Sequence, residues 1–138
     1  MAGRLRGWGG FGTVLATVRV LIADDHELVR RGIHSLLKPQ SEWEVCGEAR
    51  DGVEAVEMAK RLRPDLLLLD VTMPRLNGLE AARIIRREVP EVRILILSQH
   101  DPRQMAEDAL RAGARGFVSK SDIAANLLSS MRSCVQED

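Results

Sequence analysis

Residues 64–78 read PDLLLLDVTMPRLNG, and they are the most informative part of the chain about its architecture. The four consecutive leucines, Leu66–Leu69, form an apolar run of strand length without polar alternation. Such a run is typical of a strand covered on both faces, as in the parallel sheets of α/β proteins. The run ends at Asp70, and Pro74 and Gly78 shape a loop before the next helical segment. The stretch predicts a buried parallel strand that delivers an acidic side chain to a loop.

The rest of the chain alternates between short apolar runs of strand length and longer segments with helical spacing. Residues of helical spacing, such as Val29, Ile33 and Leu37, separate the apolar runs. Five strand–helix units in strict alternation predict an α/β fold with a doubly wound parallel sheet and helices on both faces. The other four predicted strands are Val18–Ala23, Trp43–Glu48, Val92–Leu97 and Gly116–Val118.

Length and composition limit the class of protein. The 138 residues suffice for one buried core, and aromatic residues are only 3% of them, so that core must be aliphatic. Twenty basic residues balance twenty acidic ones, which argues against a strongly basic nucleic-acid surface. We expect a loosely ordered leader over residues 1–17, one domain over residues 18–135 and a short tail over residues 136–138.

The expected compartment is a reducing cytoplasm. Cys46 and Cys134 are far apart in the sequence and suggest no disulfide framework. No apolar run reaches the roughly 18 residues of a membrane span, so no membrane association is expected.

Polar side chains stand where the predicted strands end. Asp24 and Asp25 follow the first strand, Asp70 the third, Ser98 the fourth and Lys120 the fifth. The carboxyl ends of parallel strands share one edge of the sheet, so we expect these groups to meet there. Crowded carboxylates repel unless a cation lies among them, and Mg²⁺ prefers such oxygen ligands. For Asp24 and Asp25 alone, capping of the following helix is the alternative.

The carboxylate of Asp70 could serve as a metal ligand, a general base or a nucleophile. Aspartyl nucleophiles are an established route for phosphoryl transfer, which depends mainly on positioning and charge neutralisation. Lys120 could supply the charge and Ser98 a hydroxyl. Each has an ordinary alternative, since a serine can cap a turn and an isolated lysine is usually exposed.

Three stretches together resemble the receiver domains of bacterial response regulators. Val18–His26 resembles their opening, residues 64–78 their phosphoacceptor loop and Arg111–Lys120 their lysine strand. The pattern Asp-Asp-His-x-x-x-Arg-x-Gly, from Asp24 to Gly32, is closest to the LuxR/NarL/FixJ type, which is usually joined to a helix-turn-helix. The resemblance implies a flavodoxin-like (βα)5 fold with strand order 2-1-3-4-5.

The resemblance also implies roles for the residues at the strand ends. Asp70 would accept the phosphoryl group, and Lys120 would pair with that group. Asp25 and Asp70 would bind Mg²⁺ or Mn²⁺ directly, together with the main-chain carbonyl of Thr72. Asp24 would contact the ion through water.

A second group of residues would respond to phosphorylation. The resemblance implies that Ser98 moves toward the phosphoryl group and that Phe117, the switch aromatic, turns inward. Thr72 and His100 stand where the family tunes the lifetime of the phosphoryl group. Ser121 follows the lysine where many receivers have proline.

The implied function is that of a phosphoacceptor module, not an enzyme with an external substrate. The donor would be a histidine kinase or phosphotransfer protein, and a homodimer could form through the fourth helix, fifth strand and fifth helix. One alternative is the regulatory part of a truncated helix-turn-helix transcription factor, with no direct nucleic-acid binding by this chain. Another is an aspartate-nucleophile phosphatase, which would need an acid where Thr72 stands.

Overall fold

The computed structural model describes residues 17–99 and 102–136. The predicted leader, except Thr17, and all but the first residue of the predicted tail lie outside these ranges. His100 and Asp101 also lie outside the described residues.

Strands and helices alternate along the described chain, as the sequence pattern predicts. The strands are β1 (Val18–Ala23), β2 (Trp43–Ala49), β3 (Leu66–Asp70), β4 (Arg93–Ser98) and β5 (Gly116–Ser119). The helices are α1 (Glu27–Leu37), α2 (Gly52–Leu62), α3 (Gly78–Glu88), α4 (Pro102–Arg111) and α5 (Ile123–Val135). None of these helices is both long and apolar enough to cross a bilayer.

The strands form one parallel sheet in the order β2-β1-β3-β4-β5, which confirms the predicted doubly wound, flavodoxin-like topology. Strand β1 pairs with β2 on one side and with β3 on the other. The strand order therefore reverses between β1 and β3. In open α/β sheets, ligands bind at such a reversal, outside the carboxyl ends of the strands. The topology therefore places the candidate site beyond Ala23 and Asp70.

The central strands are buried on both faces of the sheet. Every residue of β3 and β4 is buried, and so is every residue of β1 except Arg19. Alternate residues belong to two separate aliphatic clusters, as Leu67 and Leu68 do. The edge strands β2 and β5 are only partly buried. The continuous apolar runs thus mark the middle of the sheet.

Helix caps fit the sequence in part. Asp51 caps α2 by accepting a hydrogen bond from the backbone N–H of Glu54 at 2.8 Å. Asn77 caps α3 by accepting from the N–H of Glu80 at 3.0 Å. Asp122 holds the cap position of α5 but makes no capping hydrogen bond with its side chain.

The apolar residues of α4 do not all face the core. Leu110 is 72% exposed, whereas Met105 and Ala109 are buried. Successive residues of a helix point about 100° apart, so the position after a buried one can face solvent. The packed face of α4 follows Met105 and Ala109.

The loop after β3 is anchored by two glycines. A Cβ atom at Gly52, the first residue of α2, would overlap the carbonyl of Leu76. A Cβ atom at Gly78 would overlap the carbonyl of Asp70, and the N–H of Gly78 donates to the carbonyl of Val71 at 2.7 Å. These contacts hold the loop that follows Asp70 against α2 and against its own strand.

We expect Gly52→Ala to destabilise the protein by about 1–3 kcal/mol, because the new methyl group forces the loop or α2 to move. Urea unfolding measures the loss. The matched control is Gly32→Ala on α1, where an added Cβ meets no atom within 4 Å. That change should stabilise by about 0.5–1 kcal/mol, the usual gain for alanine over glycine inside a helix. Equal stability of Gly52→Ala and the unmodified protein would contradict the anchoring contact.

Candidate functional site

A buried ion-pair network stands at the reversal of strand order. The ammonium of Lys120 lies 2.8 Å from Oδ2 of Asp24 and 3.1 Å from Oδ1 of Asp70. The three side chains are 7%, 0% and 2% exposed. Asp24 follows β1, Asp70 ends β3 and Lys120 follows β5 at the start of a 3₁₀ turn. Three segments distant in sequence thus bring opposite charges together out of water.

Two neighbours extend this network toward solvent. Asp25 is 31% exposed, and its Oδ1 lies 3.2 Å from Nδ1 of His26. The same nitrogen lies 3.1 Å from Oδ1 of Asp24, which also accepts a hydrogen bond from the backbone N–H of His26 at 2.8 Å. His26 occupies the cap position of α1. Helix capping by Asp24 or Asp25 is therefore not what these carboxylates do.

The loop after Asp70 is held from both sides. The N–H of Val71 donates to the carbonyl of Leu97 on β4 at 3.1 Å, which continues the sheet one residue beyond β3. The N–H of Thr72 approaches Oδ1 of Asp70 at 3.4 Å, a long hydrogen bond. Thr72 itself is exposed. The carboxylate therefore sits at the buried end of a strand while the residue two positions later reaches solvent.

Burial and crowding shift the ionisation of the central groups. Burial raises the pKa of Asp70, the charge of Asp24 raises it further, and Lys120 only partly offsets both, so the pKa reaches about 6. Burial lowers the pKa of Lys120, but its hydrogen bond to Asp24 and the charges of both carboxylates outweigh burial and raise it above its usual value. Lys120 therefore stays protonated, and the ionised form of Asp70 at neutral pH is less stable than that of an ordinary aspartate.

The donor set fits a divalent cation. Asp24, Asp25, His26 and Asp70 each offer one ligand atom, and these atoms lie within 4.8 Å of one another. Oδ2 of Asp70 is buried and accepts no hydrogen bond from the described residues. A buried carboxylate oxygen without a partner is costly unless a cation or donor meets it. Carboxylate oxygens suit Mg²⁺ and Mn²⁺, and both are compatible with these residues.

The predicted switch residues lie on the two strands beyond β3. Ser98 is buried at the end of β4 and is in register with Ser119 of β5. Phe117 is half-buried on β5, in register with Ile96, and packs against one of the two aliphatic clusters. The structure thus brings Asp24, Asp25, Asp70 and Lys120 into one cluster, with Ser98 on the adjacent strand end and Phe117 on a sheet face.

Sequence reasoning missed Arg30. This arginine is only 7% exposed on α1, and it lies on the same helical face as Ile33 and Leu37. It donates to the backbone carbonyl of Asp24. The sequence offered two signals, its spacing of three and seven residues from Ile33 and Leu37 and its place in the pattern from Asp24 to Gly32, but neither was given a role.

The fold and the acidic cluster define a class of protein, a doubly wound domain with an acidic cluster at the reversal of strand order. Residues 20–132 match the response regulator receiver domain family. The chain belongs to this family and is a receiver domain of two-component response regulators, similar to those of the NarL and LuxR type.

Individual relatives agree with this assignment. The chain is 35% identical over 119 residues to the transcriptional regulatory protein DegU of Brevibacillus brevis, covering 86% of this chain and 50% of DegU. It is 38% identical over 116 residues to the response regulator protein VraR of Staphylococcus aureus, covering 84% and 56%. The receiver domain of the NarL regulator from Mycobacterium tuberculosis superposes with a TM-score of 0.82 at 34% identity, covering 88% and 98%. The chain spans about half the length of the curated relatives it matches.

We expect Asp70→Asn to stabilise the metal-free protein at neutral pH. The pKa of Asp70 is raised from 3.8 to about 6 in the folded protein. The contribution of this carboxyl to the free energy of unfolding is therefore fully present below pH 4 and is lost as the pH rises through 6. The neutral amide escapes this loss, so the gain at pH 7 should be about 1–3 kcal/mol and should shrink toward zero near pH 4. Urea unfolding in EDTA at several pH values measures it. A less stable Asp70→Asn protein at pH 7 would mean that the attraction to Lys120 dominates.

Proposed function

We propose that Asp70 accepts a phosphoryl group beside a divalent cation and that the resulting change of charge controls an output partner. The observation that carries this proposal is the buried ammonium of Lys120, which bridges Asp24 and Asp70 at the reversal of strand order. The Lys120 ammonium is placed to neutralise the oxygens of a phosphoryl group that is bound to Asp70. Family membership supports the same conclusion.

The reaction is a direct transfer to a carboxylate oxygen. An oxygen of Asp70 attacks the phosphorus of a phosphohistidine, and a new O–P bond forms as the N–P bond breaks. The departing imidazole nitrogen keeps the electron pair and takes up a proton from solvent. Asp70 needs no general base, because it reacts as the carboxylate. Burial and the charge of Asp24 raise the pKa of Asp70, which makes its carboxylate more basic and a better nucleophile than an ordinary aspartate.

The neighbouring residues divide the remaining tasks. Asp25 and Asp70, with the carbonyl of Thr72, would hold the Mg²⁺ or Mn²⁺ ion, and Asp24 would contact it through water. The bound ion supplies positive charge to the phosphoryl oxygens. Lys120 neutralises a further oxygen and is already within reach of Asp70 at 3.1 Å.

The output follows from the added charge. A phosphoryl group brings strong acceptor oxygens to the rim, and a hydroxyl on the adjacent strand end is a suitable donor. We propose that Ser98 turns toward the phosphoryl group and that Phe117 then moves inward on β5. Thr72, which is exposed two residues after Asp70, would regulate access of water to the anhydride and so its lifetime. His100 is proposed for the same role.

The donor we propose is a histidine kinase or phosphotransfer protein in the cytoplasm. Cys46 and Cys134 are both free thiols, which suits a reducing compartment. The surface of α4, β5 and α5 would carry the output, with a homodimer as one form of it. We do not assign turnover of an external substrate, because Thr72 stands where an aspartate-nucleophile phosphatase needs its general acid.

A transcriptional output is the second candidate. DegU is named a transcriptional regulatory protein, and this chain spans half of its length. In that case the receiver would control a DNA-binding region without binding duplex DNA itself, in keeping with its balanced charge. Salt-sensitive binding of duplex DNA by residues 18–135 would contradict this division of roles.

Incubation with acetyl phosphate and Mg²⁺ should add the mass of one phosphoryl group to the protein. The adduct should be absent in Asp70→Asn, because an amide oxygen cannot form the anhydride. Intact-protein mass spectrometry measures both. EDTA should suppress the reaction in the unmodified protein.

The matched control is Asp51→Asn, which removes a carboxylate but leaves a residue able to cap α2. It should be phosphorylated like the unmodified protein. Label retained in Asp70→Asn would reassign the acceptor. Brisk hydrolysis of a generic phosphomonoester would favour the phosphatase instead.

A further inference from the structure

Arg30 is a buried cation immediately behind the acidic cluster. Its side chain on α1 is 8% exposed. Nη1 donates to the backbone carbonyl of Asp24 at 2.7 Å, and Nε donates to Oε1 of Glu48 on β2 at 2.7 Å. One guanidinium therefore ties together α1, the end of β1 and the edge strand.

Arg30 contacts the main chain of Asp24 and can therefore affect the side chains on both sides of that peptide unit. The N–H of Asp24 donates to the carbonyl of Ala49 at 3.0 Å, and the carbonyl of Asp24 accepts the hydrogen bond from the Arg30 guanidinium. The carbonyl of Asp24 belongs to the peptide unit that leads into Asp25, so fixing this unit limits where both side chains can point. The planar fork of an arginine fixes direction as well as distance.

Glu48 compensates the buried charge of Arg30. Its Oε2 lies 2.6 Å from Nε2 of His34, so it bridges the arginine and the histidine on the same helix. Burial raises the pKa of Glu48, but the hydrogen bonds from Arg30 and His34 outweigh burial and hold that pKa below its usual value. The carboxylate is therefore present at neutral pH, and Arg30 is kept in place by a true ion pair.

We propose that Arg30 is a positioning residue that presets Asp24 and Asp25 for the divalent cation by gripping the carbonyl of Asp24. This inference rests on the proposed function, since it concerns the ion that the function requires. Arg30 donates to the carbonyl of Asp24 and to Glu48, not to the carboxylates of the acidic cluster, so its effect on the metal ligands passes through the backbone. Partners that orient metal ligands in this way typically change metal affinity by 10–100-fold when they are removed.

The test measures Mn²⁺ affinity by calorimetry on the full chain. Arg30→Met keeps much of the buried volume but loses both hydrogen bonds, and it should weaken Mn²⁺ binding about tenfold. The matched control is Arg31→Met, the next residue on α1, whose side chain is 71% exposed and pairs with Glu27. Its Mn²⁺ affinity should equal that of the unmodified protein.

A second readout separates positioning from general damage. We expect the Mn²⁺ concentration for half-maximal phosphorylation by acetyl phosphate to rise about tenfold in Arg30→Met, while the rate at saturating Mn²⁺ changes by less than about threefold. A saturated rate that collapses together with the affinity would overturn the proposal. Unchanged affinity in folded Arg30→Met would overturn it as well.

Arg30→Lys decides the case where Arg30→Met does not fold. The lysine keeps the charge for Glu48 but lacks the fork that reaches two acceptors, so it should weaken Mn²⁺ binding by a smaller factor. Affinity equal to that of the unmodified protein would refute the role of Arg30. Failure of the unmodified protein to bind Mn²⁺ would instead refute the proposed function.

Discussion

The pairing of one buried ammonium with two buried carboxylates is the interaction on which the site depends. Asp24 and Asp70 are brought together by the sheet, and without Lys120 two like charges would face each other away from water. Three carboxylates, including that of Asp25, meet a single ammonium, so the rim keeps an excess of negative charge. That excess suits a divalent cation, and burial, followed by the charge of Asp24, raises the pKa of Asp70.

The topology of the sheet places these repelling carboxylates where a ligand can reach them. Strand order reverses between β1 and β3, so the residues just beyond these buried strands, Asp25 and Thr72, reach solvent at one shared edge. The loop after Asp70 is held in place, because its backbone packs against Gly52 and Gly78 so closely that neither position has room for a side chain.

The support of the acidic rim extends to the edge of the sheet. Arg30 connects the carbonyl of Asp24 to Glu48 on β2, and His34 completes the connection at the surface of α1. Strands β1 and β3 lead into the buried carboxylates, and the edge strand β2 supplies the charge that keeps Arg30 buried. Edge and centre therefore contribute different parts of the same arrangement.

The sequence alone determined the elements and the identity of the central acids and lysine. Continuous apolar runs such as Leu66–Leu69 identify buried parallel strands, and the rule that strand ends share an edge groups Asp24, Asp70 and Lys120. Tertiary structure decided what hydrophobic pattern cannot express, namely which polar side chains are buried and which apolar ones are not. Arg30 is buried because Glu48 and the main-chain carbonyl of Asp24 satisfy it, while Leu110 lies on the solvent-facing side of α4, next to the buried Ala109. Glu48 is 18 residues from Arg30 in the sequence, so only the folded chain brings the two side chains within reach.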